Sequence, residues 1–586
     1  MPVARVLPPT TGERPPPPPL RHEGRWLALI CALALGQLLA WTALDRRNPD
    51  DHDEGHTEDT ALAVADAAER GLGPALVDFW SLDRRYPPGV TSTLIVTSTL
   101  AGPSRAAFRL ANLPFLLLLV VGTWWLGRQL RGPRLGLLAA GVVAGLPMLV
   151  NGSRKMFVHW HAAALTPLGL AAGLFALGSP RALAWLGFGG LQGLRLYTHH
   201  ASSIDALATL AAVVGLGLLR PATRRRAPLA LVAFALVGSV ALGLVGPPRT
   251  WSLPGYLDGR GSALAVLGPL LNGEVDAGTL AARVVGEGIW IALFPLNALV
   301  LGAGLLLAPW TRRRPDQLVL LLLLLQVPAL LLTCANGAFL NDWAFLLPGA
   351  VVLGLAAFID RAPSSWIRPL AATLLLHAVA VAWGPLIASP FAPDPIARPG
   401  AWDLPGLRWL GRSYTGRWSN THLVPTREPD PWDEVARRLV QRPGLTLADL
   451  TYIGVVGPGC RVASPLDPSS WRWELPSQGG WSTQEPPKWP LLFAGAGYPQ
   501  PPDQGVLLVR LWVDFNSEAG QASCDPLRRL PLELLRGAEG VARVRWPGST
   551  RWEGLDDPTG RTPGWTVEWE RTQGWTGAAL LGQRGG

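Results

Sequence analysis

A run of four carboxylates and one histidine at residues 50–54 (DDHDE) is the feature of this sequence best suited to chemistry. Carboxylates so close together can bind a metal ion or take a proton from a substrate hydroxyl. The run follows an apolar segment, Trp26–Leu44, that contains no charged residue and has about the length of a transmembrane helix. Because Arg21 and Arg25 precede that segment, the acids are predicted to emerge at the outer membrane surface. A solvated outer loop without chemistry is the alternative.

The composition is typical of a polytopic membrane protein. The chain has 586 residues, of which 49% are hydrophobic and only 16% are charged, against about 25% charged in soluble domains. The net charge of +9 comes almost wholly from arginine, since Lys155 and Lys488 are the only lysines. The arginines cluster between apolar segments, so they indicate membrane orientation rather than binding to nucleic acid. Arginine in place of lysine, with much Ala, Gly and Pro, is typical of a GC-rich bacterial genome.

Eleven apolar segments predict a polytopic α-helical membrane protein with about 11 transmembrane helices. After Trp26–Leu44 they lie near residues 107–127, 135–150, 162–177, 182–195, 203–219, 228–246, 288–309, 317–333, 343–359 and 368–388. Several are shorter than the usual span of about 20 residues, which predicts broken or thin helices.

The charges between the segments predict the orientation. With the N-terminus inside, every connection predicted inside is basic and nearly free of acids, as at residues 220–226 and 312–314. The acids lie in the connections predicted outside, as at residues 50–59 and 274–287. This distribution follows the positive-inside rule and predicts a cytoplasmic N-terminus and an extracytoplasmic C-terminal region.

The chain is predicted to have three parts. Residues 1–24, with a run of prolines, form a disordered cytoplasmic tail. Residues 25–388 form the membrane domain, with a first outer loop over residues 45–104. Residues 389–586 form a soluble extracytoplasmic domain of α/β or α+β type.

The C-terminal region has weaker patterns. Residues 433–441 (DEVARRLVQ) predict a short helix. Three strands are predicted, over residues 450–456, 506–513 and 541–546. Cys460 and Cys524 pair in a disulfide only if the fold brings them together, and spacing alone leaves this open.

The first outer loop is predicted to have structure of its own. Residues 60–72 have apolar residues at helical spacing and predict an amphipathic helix on the membrane surface. The turn Tyr86-Pro87-Pro88 breaks any helix. Residues 90–101 then predict an interfacial or re-entrant piece. If residues 90–101 crossed the membrane, the orientation of every later segment would be reversed. The arginine distribution argues against that reversed orientation.

The order of these features resembles the GT-C superfamily of integral-membrane glycosyltransferases, in the branch of protein O-mannosyltransferases and lipid A aminoarabinose transferases. The motifs that carry the resemblance, over about residues 26–388, are Asp53-Glu54, Tyr86-Pro87-Pro88, Arg109-Leu110, residues 127–132 (GRQLRG) and, loosely, Asn336-Gly337 before Leu346-Leu347-Pro348. The resemblance implies a polyprenyl-phosphate sugar donor and a lipid, glycan or protein acceptor. It also implies an inner-membrane enzyme that works on the outer face.

The implied reaction is an inverting displacement at the anomeric carbon, with the lipid phosphate as leaving group. Such a reaction needs a base near the acceptor hydroxyl and positive charge near the phosphate. The resemblance implies Asp53 as the catalytic residue, with Glu54 supporting it. A packing or solvation role is the alternative for both.

Cations predicted at the outer ends of spans are candidates for binding the donor phosphate. They are Arg154, Lys155, His199, His200 and, in a later outer loop, Arg260. The alternative for Arg154 and Lys155 is interfacial snorkelling, and for the histidines it is a place in the core or in a loop. Arg260 could instead pair with Asp258.

His159 departs from the family pattern, because the related transferases often have an acid there. A histidine can ligate a metal or, when protonated, bind phosphate, but it cannot replace the carboxylate as a base of the same kind. His159 and the turn Tyr86-Pro87-Pro88 are assigned to the substrate loops. A divalent metal is left open.

Two other classes of protein fit a chain with these spans. A transporter or lipid flippase would show internal repeats and charges near the middle of spans, and no repeat is obvious. An anchor that displays the C-terminal domain would need only one span. The sequence therefore favours the glycosyltransferase.

Overall fold

The protein is described by a computed structural model. It describes residues 20–45, 70–81, 89–102, 105–154, 158–198, 200–245, 295–310, 315–324, 346–388, seven strands between 450 and 584, and the single residues 61, 64, 67, 68, 344 and 425. The described part is mostly helical up to residue 388.

The helices of the N-terminal part follow one another with short connections. They are α1 (Glu23–Leu44), α2 (Leu72–Ser81), α3 (Gly89–Ala101), α4 (Arg105–Leu110), α5 (Leu113–Arg131), α6 (Pro133–Ala144), α7 (Pro147–Arg154) and α8 (Val158–Gly178). The later helices are α9 (Ala182–Leu196), α10 (His200–Leu218), α11 (Ala227–Val245), α12 (Pro295–Leu307) followed by a 3-10 turn, α13 (Pro315–Leu324), α14 (Leu347–Ile359) and α15 (Ser364–Ala388).

Several of these helices are apolar and long enough to cross a membrane. Within the described residues four pass that test, and a fifth passes if α6 and α7 together form one span. Shorter apolar helices lie at Gly89–Ala101, Asp205–Leu218, Ala227–Val240, Pro315–Leu324 and Leu347–Ile359. The chain is therefore a multi-pass membrane protein, and its total of eleven spans stays a prediction.

The segment near residues 135–150 was predicted as one span, and the structure divides it. Helix α6 ends at Ala144, and α7 begins at Pro147 after a bend of 61°. Proline favours the first turn of a helix and cannot continue a preceding one, so Pro147 explains the break.

The first loop contains more helix than the sequence predicted. Ala61, Val64 and Ala67 are helical and buried. Gly71, at φ +122°, separates them from α2, which sequence analysis did not predict. Helix α3 has 13 residues, a length of about 20 Å that is too short to cross the hydrocarbon core alone.

Small residues let the helices pack closely. A Cβ added at Gly136 of α6 would lie 2.5 Å from the backbone oxygen of Trp124 in α5, and one at Gly127 would lie 2.9 Å from the Cα of Gly136. The turn between the two helices is Gly132, whose φ of +87° favours glycine. Membrane helices associate through such contacts because lipid supplies no hydrophobic drive between them.

The bundle has two ends, which we name after the ends of α1: the Glu23 end and the Asp45 end. At the Glu23 end the carboxylate of Glu23 accepts a hydrogen bond from Trp124 (3.0 Å) and pairs with Arg128 (3.2 Å). Nearby, Arg131 at the end of α5 binds Asp316 and, at 2.6 Å, Asp360. These ion pairs connect α5 to α13 and α14.

Strands form a mixed sheet in the C-terminal region. They are β1 (Leu450–Val456), β2 (Leu491–Phe493), β3 (Val506–Trp512), β4 (Gly540–Arg545), β5 (Trp552–Gly554), β6 (Trp565–Arg571) and β7 (Gly577–Arg584), in the order β2-β1-β3-β7-β6-β4-β5. β1 is parallel to β2 and β3, β4 is parallel to β6, and β7 is antiparallel to β3 and β6.

The three predicted strands correspond to β1, β3 and β4, and those predictions are confirmed to within a residue at each end. The predicted helix over residues 433–441 lies outside the described residues, as do Cys460 and Cys524. The boundaries of the three predicted parts of the chain stay predictions.

We expect Gly136→Ala to lower the free energy of unfolding by about 1–3 kcal/mol, because the new methyl group would overlap the backbone of α5. The control is Gly187→Ala in α9, where an added Cβ meets nothing within 4 Å. Alanine should leave that helix unchanged or stabilise it by up to about 1 kcal/mol. Thermal unfolding midpoints in detergent measure both, and equal midpoints would contradict the close packing.

Candidate functional site

The chain leaves α1 at Asp45, whose side chain is buried in an ion pair. The backbone N–H of Asp45 donates to the Trp41 carbonyl (2.8 Å), and its own backbone is extended. Nη1 of Arg109, in α4, lies 2.8 Å from the Asp45 carboxylate, and the two side chains are only 4% and 0% exposed. The start of the segment that carries the acidic run is therefore fixed to α4.

Two guanidinium groups lie near the ring of Trp41. The ring is fully buried, with the Arg109 guanidinium 4.6 Å and the Arg154 guanidinium 5.9 Å from its centroid. Cations at such distances are attracted to the face of an indole ring. Trp41 therefore brings α4 and the end of α7 to the same point on α1.

Arg154 connects three helices through hydrogen bonds. Its Nε and Nη2 donate to Oε1 of Gln37 in α1 at 2.9 and 2.6 Å, and Nη2 also donates to the Ala382 carbonyl of α15 at 2.7 Å. The residue is fully buried. These bonds fix the end of α7, directly before Lys155.

Two further contacts place α5 and α8 at the same end. Nδ2 of Asn112 donates to the Ser153 carbonyl at 2.8 Å. The rings of Phe115 and His161 meet edge to face, with centroids 4.1 Å apart. The first turns of α5 and α8 therefore lie beside the end of α7.

A second buried ion pair lies between α9 and α10. Arg195 pairs with Asp205, and its guanidinium also donates to Gln192 (2.8 Å) and to the Thr166 hydroxyl of α8 (3.0 Å). Sequence analysis missed this pair. The signal was present, since Asp205 lies inside an apolar segment, and ionisable groups within spans commonly mark a functional region.

Helix α3 begins against the turn that follows α9. The N–H of Gly89 donates to the Tyr197 carbonyl at 2.9 Å, and the hydroxyls of Ser92 and Tyr197 are 2.8 Å apart. A Cβ at Gly89 would lie 2.6 Å from the Tyr197 oxygen, so the approach requires glycine. Helix α3 also packs on α4 through Leu94 and Phe108.

Most of the predicted site residues lie outside the described residues. These are Asp53, Glu54, Tyr86, Pro87, Pro88, Lys155, His199 and Arg260. His159 lies in the first turn of α8, and His200 begins α10. Arg154 is the one whose side chain contacts the structure describes.

The described neighbours of those residues nevertheless lie at one end of the bundle. Asp45 precedes the acidic run, Gly89 follows the Tyr-Pro-Pro turn, Arg154 precedes Lys155, and Tyr197 precedes the histidine pair. The contacts above join these four positions at the Asp45 end. The chain segments that carry most of the predicted site therefore start or finish at one end of the bundle.

A metal site is not found in the part of the chain that the structure describes. Among the described residues no group of three or more His, Cys, Asp or Glu side chains could hold a metal ion. The acidic run at residues 50–54, which the sequence offered for metal binding, lies outside them.

Comparison with known proteins confirms the resemblance at the level of the fold. No protein-family model matches the sequence, and no curated protein does. The chain is similar to the crystal structure of ArnT from Cupriavidus metallidurans bound to undecaprenyl phosphate, with a TM-score of 0.50 and 14% identity over 96% of this chain and 98% of ArnT. For the crystal structure of the same ArnT in the apo state, the TM-score is 0.49 and the identity is 15%, over 95% of this chain and 98% of ArnT.

The third similar structure is the arabinofuranosyltransferase AftD from Mycobacteria, determined by cryo-EM. Its TM-score is 0.44 and its identity 15%, over 97% of this chain and 40% of AftD. ArnT is a lipid A aminoarabinose transferase, and both it and AftD are GT-C glycosyltransferases. At the level of the fold, this chain is therefore similar to ArnT.

The ion pair of Arg195 and Asp205 gives a test of the buried charges. Either Arg195→Met or Asp205→Leu alone leaves a buried charge without its partner and should lower the free energy of unfolding by about 3–5 kcal/mol. The double variant replaces both charges by apolar groups and should recover most of that loss. Thermal unfolding in detergent gives the stability of the wild type, the two single variants and the double variant. Losses in the double variant that equal the sum of the single losses would contradict the pairing.

Proposed function

We propose that this protein transfers a sugar from a polyprenyl-phosphate donor to a lipid, glycan or protein acceptor at the outer face of a bacterial inner membrane. The observation that carries the proposal is that Asp45, Gly89, Arg154 and Tyr197 all lie at the Asp45 end of the bundle, where Gly89 contacts Tyr197 and both Arg109, which pairs with Asp45, and Arg154 lie near Trp41. The GT-C fold adds support, since ArnT with that fold was crystallised with undecaprenyl phosphate.

The proposed topology has eleven spans, with the Asp45 end outside and the Glu23 end in the cytoplasm. Arginines of the Glu23 end support it: Arg128 and Arg131 at the end of α5, Arg220 after α10, and the triplet 224–226 before α11. Basic connections favour the cytoplasmic side. The C-terminal region then lies outside the membrane on the same side as the Asp45 end.

The proposed mechanism uses one carboxylate as the base. Asp53 takes the proton of the acceptor hydroxyl while the oxygen of that hydroxyl attacks the anomeric carbon of the sugar. The bond from that carbon to the phosphate oxygen breaks, and the lipid phosphate leaves with its electron pair. Attack from the opposite face inverts the configuration. Glu54 supports Asp53 in this role.

The leaving phosphate needs positive charge and hydrogen-bond donors. Lys155, His199, His200 and Arg260 are proposed to supply them. Arg154 belongs to the same group, and its bonds to α1 and α15 hold the end of the helix from which Lys155 extends. The turn Tyr86-Pro87-Pro88 and His159 are proposed to contact the sugar or the acceptor.

One observation favours a transporter or flippase as the second candidate. Arg195 and Asp205 form a buried ion pair inside the bundle, as the polar groups of transport pathways often do. Reconstituted protein distinguishes the two. Movement of a labelled polyprenyl-phosphate lipid across the bilayer, without any transfer product, would support the second candidate.

Donor and acceptor can be identified by mass spectrometry of lipids and surface glycans from cells that lack the protein. A polyprenyl-phosphate sugar should accumulate, and one glycan or lipid should lack that sugar. Unchanged lipids and glycans would contradict a transferase role.

We expect Asp53→Asn to lower the transfer rate by roughly 10²- to 10⁴-fold while the protein still inserts and folds, because the amide cannot accept the acceptor's proton. Asp51→Asn, two residues earlier in the same acidic run, is the matched control and should retain most of the activity. The assay follows sugar transfer from the donor identified above in proteoliposomes. Transfer by Asp53→Asn at the wild-type rate would overturn the catalytic assignment.

A further inference from the structure

Asp45 is an unfavourable residue for its local environment. It follows the last turn of α1, where the helix dipole favours cations over anions. Its carboxylate is also fully buried, and a buried ion pair is commonly no more stable than a pair of apolar side chains of similar volume. Helix stability and packing therefore do not explain an aspartate here.

Arg109 fixes the Asp45 carboxylate in one geometry. Its Nη1 approaches the Asp45 side chain at 2.8 Å and the Asp45 carbonyl at 3.4 Å. The same guanidinium lies over the Trp41 ring. An arginine held by a ring face and by two oxygens of one residue has little freedom to move. The direction in which the chain leaves α1 is fixed accordingly.

The fixed point is close in sequence to the acidic run. Asp53 follows Asp45 by eight residues, so its Cα lies within about 29 Å of the anchor even in a fully extended chain. Arg109 lies in α4 beside Phe108, which packs on α3. The first residue of α3 in turn contacts Tyr197. One arginine thus connects the start of the acidic segment to the helix that follows the Tyr-Pro-Pro turn.

We propose that Asp45 and Arg109 are positioning residues for the transfer reaction. Their ion pair acts through the segment that carries Asp53, by setting where that segment starts, and neither side chain contacts the sugar or the phosphate. The inference rests on the proposed transferase function and adds two residues to it that the resemblance did not assign.

The first test compares two buried carboxylates that have the same chemistry at opposite ends of the bundle. Asp45 and Asp316 each have a fully buried side chain paired with an arginine. Both Asp45→Asn and Asp316→Asn should lower the unfolding midpoint, with the smaller loss in Asp316→Asn because Arg131 keeps its ion pair with Asp360. Only Asp45→Asn should lower kcat, by roughly 10- to 100-fold, with the KM for the donor changed by less than about twofold.

The second test removes the stability effect. The double variant Asp45→Leu with Arg109→Met replaces the pair by apolar side chains and should unfold near the wild-type midpoint. Its kcat should stay roughly 10- to 100-fold low, because a well-packed apolar pair does not fix the extended exit from α1. Arg109→Lys, which keeps the charge, should recover part of the rate that Arg109→Met loses.

The outcomes separate the two proposals. If the wild-type protein transfers sugar and the double variant does so at the wild-type rate, the pair is merely structural and this inference is overturned. An equal loss of kcat in Asp316→Asn would overturn it as well. If the wild-type protein transfers no sugar from the donor that accumulates in cells lacking it, the transferase function itself fails and this inference falls with it.

Discussion

The arrangement of the Asp45 end depends on one ion pair and the ring beneath it. Asp45 and Arg109 are both buried, and the guanidinium groups of Arg109 and Arg154 both lie near the Trp41 ring. A cation over an indole ring contributes about 0.5–2 kcal/mol, depending on how far it is desolvated. Neither charge is stable at this place without the other. The end of α1, the short helix α4 and the end of α7 therefore have to assemble together.

Between the two ends the bundle is held mainly by shape. Lipid is as apolar as a leucine side chain, so burial of leucine drives little association between spans. Close contacts at Gly122, Gly127 and Gly136 replace that drive, since they let backbones approach to van der Waals distance. At the Glu23 end Arg131 binds Asp316 and Asp360 and closes the bundle with charges. Ion pairs at both ends, the buried pair of Arg195 and Asp205, and close glycine contacts thus hold the helices in one register.

The sequence predicted the positions of the apolar helices because lipid imposes a simple rule of length and polarity. It did not predict the 61° bend after Ala144, where Gly145 and Pro147 act against a continuous apolar pattern. It also missed the contact between Asp45 and Arg109. These residues are 64 positions apart, and no local pattern relates a helix end to a later helix. Arg109 was noticed as part of a motif, but its partner appears only when the helices are packed.

In the topology proposed above, the location of the Asp45 end suits chemistry on a lipid-linked substrate. A polyprenyl chain stays in the hydrocarbon, while its phosphate and sugar lie at the level of the headgroups, where spans end. Groups that act on the anomeric carbon have to be held at that level, and a free loop would hold them poorly because water competes for every contact. In the proposed topology, helix ends fixed by buried arginines have defined positions at the membrane surface. The fold supplies many such ends, and which reaction they serve is decided by the side chains that follow them. In this chain the segments that follow carry the acidic run, Lys155 and a histidine pair.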